Sequence, residues 1–325
     1  MFTNKHYVSA IKWKRGERSA LAELSEEQLK NITPLIEIQP MTYNHSEQTF
    51  NKSVDEHLEK FAEEVLSFWS KNLNRPLFLD IFTLFEDYRI PKKLKTKNGE
   101  TPLEFLLEES KKNDILIIPV IKIPLNALQL DILKSVFNKQ SKRLALRIDI
   151  NYFNNLEEIT KVIDAFLDLS NFEPKDIDLI LVYEKLEYAK RNNYVEEIRS
   201  LISLLPHLKS WKSFTFLSTS MPEDLSHLKS GNNSTIPRIE WGIYNELIES
   251  GVERIPTYGD YNVNNPAWFD FNPRIMQVGA NIKYTSHNDF LIFRGHGVRN
   301  NGFKQYHKLS LETKNHSDYL GKDFS

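Results

Sequence analysis

Residues 144–183 read LALRIDINYFNNLEEITKVIDAFLDLSNFEPKDIDLILVY, and this stretch decides the expected fold. Its two apolar runs, 144–150 and 178–183, are nearly continuous, which is typical of strands that are covered on both faces in a parallel sheet. Between them, residues 156–170 place apolar side chains at helical spacing. The stretch therefore predicts a strand, a helix and a second buried strand.

The same alternation runs through most of the chain. Helical patterns separate six further strand-like runs, at 7–13, 33–38, 76–82, 115–123, 213–219 and 238–244. Eight strands alternating with helices predict an α/β fold of the (β/α)8 TIM-barrel type. An open doubly wound sheet is the alternative, but KWKRGE at the end of the first run has one glycine where a dinucleotide-binding turn needs three.

The chain changes character from about residue 255. The segment RIPTYGDYNVNNPAWFDFNPR is rich in Pro, Gly, Asn and aromatic residues, and ANIKYTSHNDFLIFRGHGV predicts a β-hairpin with a polar turn. We therefore expect a barrel over residues 1–254 and a β-rich C-terminal extension, packed on the barrel, over residues 255–325.

Composition bounds the class of protein. Of the 325 residues, 40% are hydrophobic and 26% charged, which suits a sizeable core. Lys plus Arg is 42 and Asp plus Glu is 44, so the net charge of −2 gives no general argument for nucleic acid or an anionic membrane. The basic loop KKLKTK at 92–97 is the best local patch for nucleic acid, although such loops are usually just solvated.

The absence of cysteine excludes disulfides, thiol nucleophiles and thiolate metal sites, and suits a reducing cytoplasm. The N-terminus has no uninterrupted apolar core of signal-peptide length, and no window approaches about 18 consecutive apolar residues. The sequence therefore predicts a cytoplasmic protein without a membrane span.

Charged side chains recur toward the C-terminal ends of the apolar runs. In each run the charged residue shares its parity with buried apolar residues, so it faces the same side of the strand. That end of the strands builds the active site in (β/α)8 barrels. The sequence predicts a ring of charges at the barrel mouth, with cations Lys12, Lys14, Lys122 and Arg147 and anions Glu37, Asp80, Asp149, Glu184 and Glu240.

A near-balanced ring has two interpretations. It is either a plug of salt bridges that satisfies its own charges, or a site whose cations hold a phosphate-type anion while its carboxylates do acid–base or metal work. The carboxylates suit Mg²⁺, which stays open as a cofactor, but no motif fixes a metal site and none is assigned. The nine histidines lack zinc spacing, and neither GxSxG nor GxxxxGK[ST] occurs.

Four strings resemble the beta-protein family, whose founding member comes from a satellite phage, where it neighbours a killer gene. They are IKWKRGERSALAEL, ITPLIEI, RIPTYGDYNVNNP and FLIFRGHG, and the most specific parts are Lys-x-Lys-x-Gly-Glu and Tyr-Gly-Asp-Tyr. The resemblance implies prophage neighbourhoods, protection against a toxic partner and anti-phage defence, without a biochemical activity. It adds Tyr258, Asp260 and Arg294 to the expected ligand-binding residues.

The string at 258–261 follows the eighth expected strand, so we expect it either to fold over the mouth or to form a tight turn. Lys12 and Glu37 are both motif and mouth residues, and we expect them within salt-bridge or one-water distance. Family members continue past a Phe-Ser string, whereas this chain stops at Phe324-Ser325, so we expect a short form or a missing C-terminal piece.

Residues and resemblance together predict an anti-phage defence or antitoxin-like barrel protein. It would bind a partner protein encoded in the same operon, or an anionic phosphate-type ligand at the barrel mouth. The alternative is a metal-assisted hydrolase or phosphodiesterase acting on a phosphate-containing substrate. Direct binding of nucleic acid is disfavoured by the net charge.

Overall fold

The computed structural model describes residues 2, 5–69, 75–153, 155–183, 186 and 190–321. The chain divides into two compact units. The first consists of Met1–Tyr183, Arg199–Leu217 and Val252–Asp260, and the second of Glu184–Ile198, Ser218–Gly251 and Tyr261–Ser325.

The strands, in chain order, are β1 (Tyr7–Ile11), β2 (Ile32–Glu37), β3 (Tyr43–Asn44), β4 (Thr49–Phe50), β5 (Leu77–Asp80), β6 (Ile117–Ile123), β7 (Leu144–Asp149), β8 (Ile177–Tyr183), β9 (Ser213–Ser218), β10 (Asn233–Pro237), β11 (Thr257–Asp260), β12 (Gly279–Thr285) and β13 (Asp289–Gly297). The α-helices are α1 (Arg15–Glu23), α2 (Glu26–Lys30), α3 (Val54–Trp69), α4 (Pro102–Lys112), α5 (Ala127–Asn138), α6 (Leu156–Ser170), α7 (Arg191–Leu204), α8 (Ile239–Glu249), α9 (Val298–Asn301) and α10 (Gln305–Lys314). Short 3₁₀ turns follow β5 and β7, at Phe82–Phe85 and Ile150–Tyr152.

The first unit contains a closed eight-stranded barrel, which confirms the predicted (β/α)8 class. The strands follow one another around the barrel in the order β1, β11, β9, β8, β7, β6, β5 and β2. These paired neighbours run parallel, and most of their residues are apolar and buried on both faces. This explains why nearly continuous apolar runs, and not alternating ones, mark these strands in the sequence.

The eighth barrel strand is β11, and the prediction of a strand at 238–244 is wrong. That run lies in α8, whose buried residues Ile239, Ile243 and Leu247 recur every four positions, the period of a helix. Strand β11 pairs in parallel with β1, so residues expected in the C-terminal extension contribute one strand to the barrel.

Local sequence signals set the start of α4 and the end of α6. Thr101 caps α4 by accepting a hydrogen bond from the Glu104 N–H, and Pro102 occupies the first turn, where its missing N–H costs nothing. Asn171 ends α6 in the left-handed conformation with φ of 54°, a role that Asn tolerates better than most residues.

The second unit contains a three-stranded antiparallel sheet in the order β10, β13, β12. The predicted hairpin is confirmed, because β12 and β13 pair antiparallel on either side of the polar turn 286–288. One face of this sheet packs its apolar residues against Leu309 of α10. The other face carries a second apolar cluster around Phe290 and Ile292. None of the described helices is long and apolar enough to cross a membrane.

Candidate functional site

The interior face of the barrel is identified by an ion pair across its lumen. Arg147 on β7 bonds Glu37 on β2 at 3.1 Å, although β6 and β5 separate these strands in the barrel. Residues aligned with them in the parallel register therefore also face inward. The register places Lys122 beside Arg147 and Asp80 beside Glu37, as the parity of the sequence predicted.

Arg147 is the centre of the charged cluster. Its Nη1 donates to Glu37 Oε1 at 3.1 Å and to Asp80 Oδ2 at 3.0 Å, and all three side chains are at most 2% exposed. Burial raises the pKa of Glu37, and the neighbouring Asp80 carboxylate adds to the rise, whereas the Arg147 charge opposes it. The guanidinium is thus committed to two carboxylates inside the protein.

Lys122 extends the cluster toward solvent. Its Nζ lies 3.3 Å from Asp80 Oδ2, and 23% of its side chain is exposed. The ammonium also lies 5.2 Å from the centre of the Phe82 ring, within the range of a cation–π contact. Asp80 is further fixed by the Phe82 N–H, which donates to its other oxygen at 2.8 Å.

Lys12 and Lys14 do not share a strand face, contrary to the expectation. Strand β1 ends at Ile11, and Trp13 adopts the left-handed conformation with φ of 56°, so the alternation is broken between the lysines. Lys12 is 8% exposed, and Lys14 is exposed at the residue before α1. Burial lowers the pKa of Lys12, which the Glu37 charge opposes and the Lys14 charge supports. The charges of Lys12 and Glu37 interact, and the expected salt-bridge or one-water distance between them stays a prediction.

Glu86 belongs to the same cluster and was missed by the sequence reasoning. It follows the 3₁₀ turn after β5, and its side chain reaches solvent. Partial burial raises its pKa, with repulsion from Glu37 and Asp80 adding to the rise and Lys122 and Lys12 opposing it. The sequence feature that could have located Glu86 is the short segment IFTLFED, which places a carboxylate near the mouth directly after the strand of Asp80.

The charges form an arc and not a full ring. Among the described residues, the clustered side chains come from the neighbouring strands β7, β6, β5 and β2 and from the end of β1. Asp149 ends β7 on the face of Arg147, is 5% exposed and accepts a hydrogen bond from the Asn151 N–H at 3.2 Å. On β8 the register places the apolar Val182 beside Asp149.

Glu240, a predicted ring member, and Arg294, which the family resemblance added, belong to the second unit. Glu184 falls outside the described residues, as do residues 324–325 of the chain end. Glu240 lies in the first turn of α8 in the second unit, where it accepts a hydrogen bond from the Ser220 N–H at 3.1 Å. Arg294 lies on β13 of the second unit, where its Nη1 donates to the carbonyl oxygens of Leu225 and Leu228.

Tyr258 and Asp260 face away from the barrel interior. Gly259, between them, pairs with Val8 on the interior side of β1, so its two neighbours point to the outer wall. Asp260 accepts hydrogen bonds from the hydroxyls of Tyr7 and Tyr258 and is 5% exposed. The string at 258–261 is thus mainly a barrel strand, and neither of these side chains covers the mouth.

The donor set at the mouth does not fit Mg²⁺. No group of three or more His, Asp or Glu side chains in the described part of the chain is arranged to hold a metal ion. Asp80 and Glu37 instead direct their oxygens to Arg147 and Lys122.

Fold and site together define a closed parallel (β/α)8 barrel with a buried ion cluster at the C-terminal ends of its strands. The family model described as "Beta protein" matches residues 7–325. The chain therefore belongs to the Beta protein family, which confirms the resemblance of the four strings.

Two solved structures resemble the chain at low similarity. The crystal structure of a GH18 chitinase from Pseudoalteromonas aurantia is 15% identical with a TM-score of 0.38, and the match covers 63% of this chain and 75% of that one. An F420-dependent secondary alcohol dehydrogenase in complex with an F420-acetone adduct is 7% identical with a TM-score of 0.31, over 80% and 94% of the two chains. Likeness at this level carries no argument about activity. No curated protein matches the chain.

Proposed function

We propose that the barrel mouth binds an anionic, phosphate-type ligand in an anti-phage defence or antitoxin-like protein. The supporting observation is that the cations of the cluster differ in exposure and in their carboxylate partners. Arg147 is 2% exposed and bonded to two carboxylates, whereas Lys122 is 23% exposed and Lys14 lies at the surface. Arg147, Glu37 and Asp80 thus serve as a rigid base, and the lysines above them supply the charges for an anion.

Lys12 is the third lysine that we expect to bind the anion. Burial already lowers its pKa, so an incoming anion that approaches the ammonium stabilises the charged form and is bound more tightly in return. Ligand binding is therefore expected to raise the pKa of Lys12. At pH values where a fraction of Lys12 is neutral, the protein then takes up protons when the ligand binds. Calorimetry in buffers of different ionisation enthalpy measures this uptake.

The decisive experiment replaces Lys12 and Lys122 singly by Met, which keeps most of each apolar stem and removes the charge. Each variant is expected to lose phage protection and at least about tenfold in affinity for inorganic phosphate, while its melting temperature changes by only a few degrees. Lys134→Met is the matched control, because Lys134 is 70% exposed on α5 and pairs locally with Asp131. Protection that survives both mouth substitutions refutes a ligand site here.

The proposed defence context, with prophage neighbourhoods and a toxin–antitoxin relationship, rests on what the family resemblance implies. A cytoplasmic location is part of the proposal and rests on the absence of cysteine. The context is tested by expressing the chain with and without its neighbouring genes and measuring phage plating. Unchanged plating in every combination contradicts the defence role while leaving phosphate binding at the mouth testable by calorimetry.

A partner protein is a second candidate, favoured by one segment of the second unit. Phe269, Phe271, Ile275 and Val278 lie close in sequence and are 66%, 41%, 77% and 54% exposed. Exposed apolar side chains so concentrated are typical of protein-binding surfaces. Phe269→Ser with Ile275→Ser is expected to abolish co-purification with the product of a neighbouring gene, and retention of the partner by this double variant argues against the segment.

The alternative is a hydrolase or phosphodiesterase acting on a phosphate-containing substrate, now with acid–base groups in place of the metal that the sequence suggested. Glu86 and Lys12 favour it, because partial burial raises the pKa of the carboxyl and burial lowers that of the amine, which brings both toward neutral pH. Glu86→Gln is expected to reduce hydrolysis of bis-(p-nitrophenyl) phosphate by about 100-fold or more. Absence of any wild-type turnover above the buffer rate excludes this activity on that substrate.

A further inference from the structure

The sheet of the second unit has one polar edge on an otherwise apolar face. Along β12, Ala280 and Tyr284 belong to the cluster that packs on α10. Side chains alternate along a strand, so Asn281 and Lys283 point to the opposite face, together with Ile292 and Arg294 of β13. The apolar cluster on that face lies at Phe290 and Ile292, and the polar residues lie beside it.

An open cleft of about 580 Å³ lies at this polar edge. The volume falls within the roughly 300–1,000 Å³ that small-molecule sites occupy. Its walls combine two cations with hydrogen-bonding and apolar groups, including Lys283, Arg294, Asn281, Ser226, Val263 and Asp224. Every lining residue belongs to the second unit.

Carbonyl groups help to hold both cations in position, and the charges of Arg294 and Asp224 also interact. Lys283 Nζ donates to the Val263 carbonyl oxygen at 2.8 Å, and Arg294 Nη1 donates to the carbonyl oxygens of Leu225 and Leu228. Asn281 lies directly opposite Arg294 in the register of the two strands. Side chains fixed in this way lose little conformational entropy when a ligand arrives.

Gly279 keeps the cleft open beside the guanidinium. A Cβ built at this position would lie 3.9 Å from Arg294 Nη2, and no other atom outside its immediate neighbours comes within 4 Å. The glycine therefore leaves space next to Nη2 of Arg294, whereas Nη1 donates to the two carbonyl oxygens. A larger side chain here would enter the space without breaking a hydrogen bond of either cation.

We propose that this cleft binds the phosphate group of a small molecule, at a site separate from the barrel mouth. A guanidinium offers a fork of donors that fits phosphate oxygens, and a neighbouring ammonium adds a point charge. Val263 and Leu225 offer apolar surface for the organic part of the ligand. Asp224 accepts a hydrogen bond from the Ser226 N–H at 2.7 Å. Its negative charge disfavours a second anionic group at its side of the cleft. The ligand class is thus a compact phosphate monoester.

The test is titration calorimetry of the full chain with inorganic phosphate and with adenosine 5′-monophosphate. Lys283→Met and Gly279→Leu are each expected to weaken binding of the monophosphate by about tenfold or more. Lys308→Met is the matched control, since Lys308 is 80% exposed on α10 and pairs with Glu312. Tighter binding of the monophosphate than of inorganic phosphate supports a site for an organic ligand.

Three results overturn the proposal. They are no measurable wild-type binding of either probe, binding that both cleft variants retain, or a large fall in melting temperature for both variants without an effect on affinity. The last result would assign Lys283 and Gly279 to stabilising the fold of the second unit alone. Lys122→Met distinguishes this site from the mouth, because it is expected to leave binding in the cleft unchanged even if the mouth loses its own anion.

Discussion

Replacing Arg147 by Met tests whether the buried ion cluster is the structural base of the mouth. The guanidinium bonds Glu37 at 3.1 Å and Asp80 at 3.0 Å, and the substitution strands both carboxylates inside the protein. Each lost bond to a charged group is worth about 1.5–3 kcal/mol, and breaking a buried ion pair typically costs about 3–5 kcal/mol. At roughly 2–4 °C per kcal/mol for a large domain, we expect the melting temperature to fall by about 6–20 °C.

The penalty is also expected to depend on pH. The pKa of Glu37 already lies above its ordinary value of 4.5, and Arg147 is the largest influence that holds it down. Without Arg147 the pKa rises further, so the folded variant holds a proton that the unfolded chain releases. Stability is then greatest below the unfolded pKa and falls as pH rises through the folded pKa. The variant should therefore be closer to wild type at about pH 5 than at about pH 8.

Circular dichroism during heating and urea titration at both pH values measures these effects. Lys161→Met is the matched control, because Lys161 is 78% exposed and lies 3.9 Å from an exposed Glu157. We expect this control to change stability by less than about 0.5 kcal/mol. An Arg147→Met protein that melts within about 2 °C of wild type at both pH values would refute the assignment of Arg147 to the structural base.

Three further substitutions test the barrel itself. Gly259→Ala is expected to lower the free energy of unfolding in urea by about 1–3 kcal/mol, because the new Cβ would lie 3.0 Å from the Val8 carbonyl oxygen. An unchanged urea midpoint would show that β1 and β11 can move apart without cost. Thr101→Ala is expected to lower the free energy of unfolding by about 1 kcal/mol through loss of the α4 cap, and Thr101→Ser should recover most of it. Asp178→Asn is expected to cost about 1–3 kcal/mol because it removes the charge that binds Arg143 at 2.6 Å, and equal melting curves would contradict a structural role for this pair.

Regular strands made much of the cluster predictable. Glu37, Asp80, Lys122 and Arg147 lie on strands whose register is unbroken, so parity alone assigned them to one face. Closure of the barrel then brought residues from β2 and β7 together across the lumen, although 110 positions separate Arg147 from Glu37. Alternation was sufficient for these four residues because it does not depend on loop geometry, whereas the expected count of eight strands included one wrong member at 238–244.

Irregular backbone explains what could not be predicted. Lys14 departs from the predicted face because Trp13 adopts a left-handed conformation, which parity cannot show. Glu86 reaches the cluster through a 3₁₀ turn, and no strand pattern locates such a residue. The string at 258–261 was expected to fold over the mouth or to form a tight turn, because Gly-Asp is typical of turns, while the tertiary pairing with β1 places Tyr258, Gly259 and Asp260 in a strand.

The pairing of β1 with β11 has a consequence for synthesis on the ribosome. Tyr7 emerges early, yet the Asp260 that binds its hydroxyl follows 253 residues later. At about 5–20 residues per second, β1 waits on the order of ten seconds or more for its neighbour on that side. During this interval the growing chain carries an unpaired strand edge, which exposed backbone groups make prone to association. Premature termination before residue 257 would leave that edge unpaired permanently, so stop codons in this region are expected to yield aggregated protein instead of a shorter barrel.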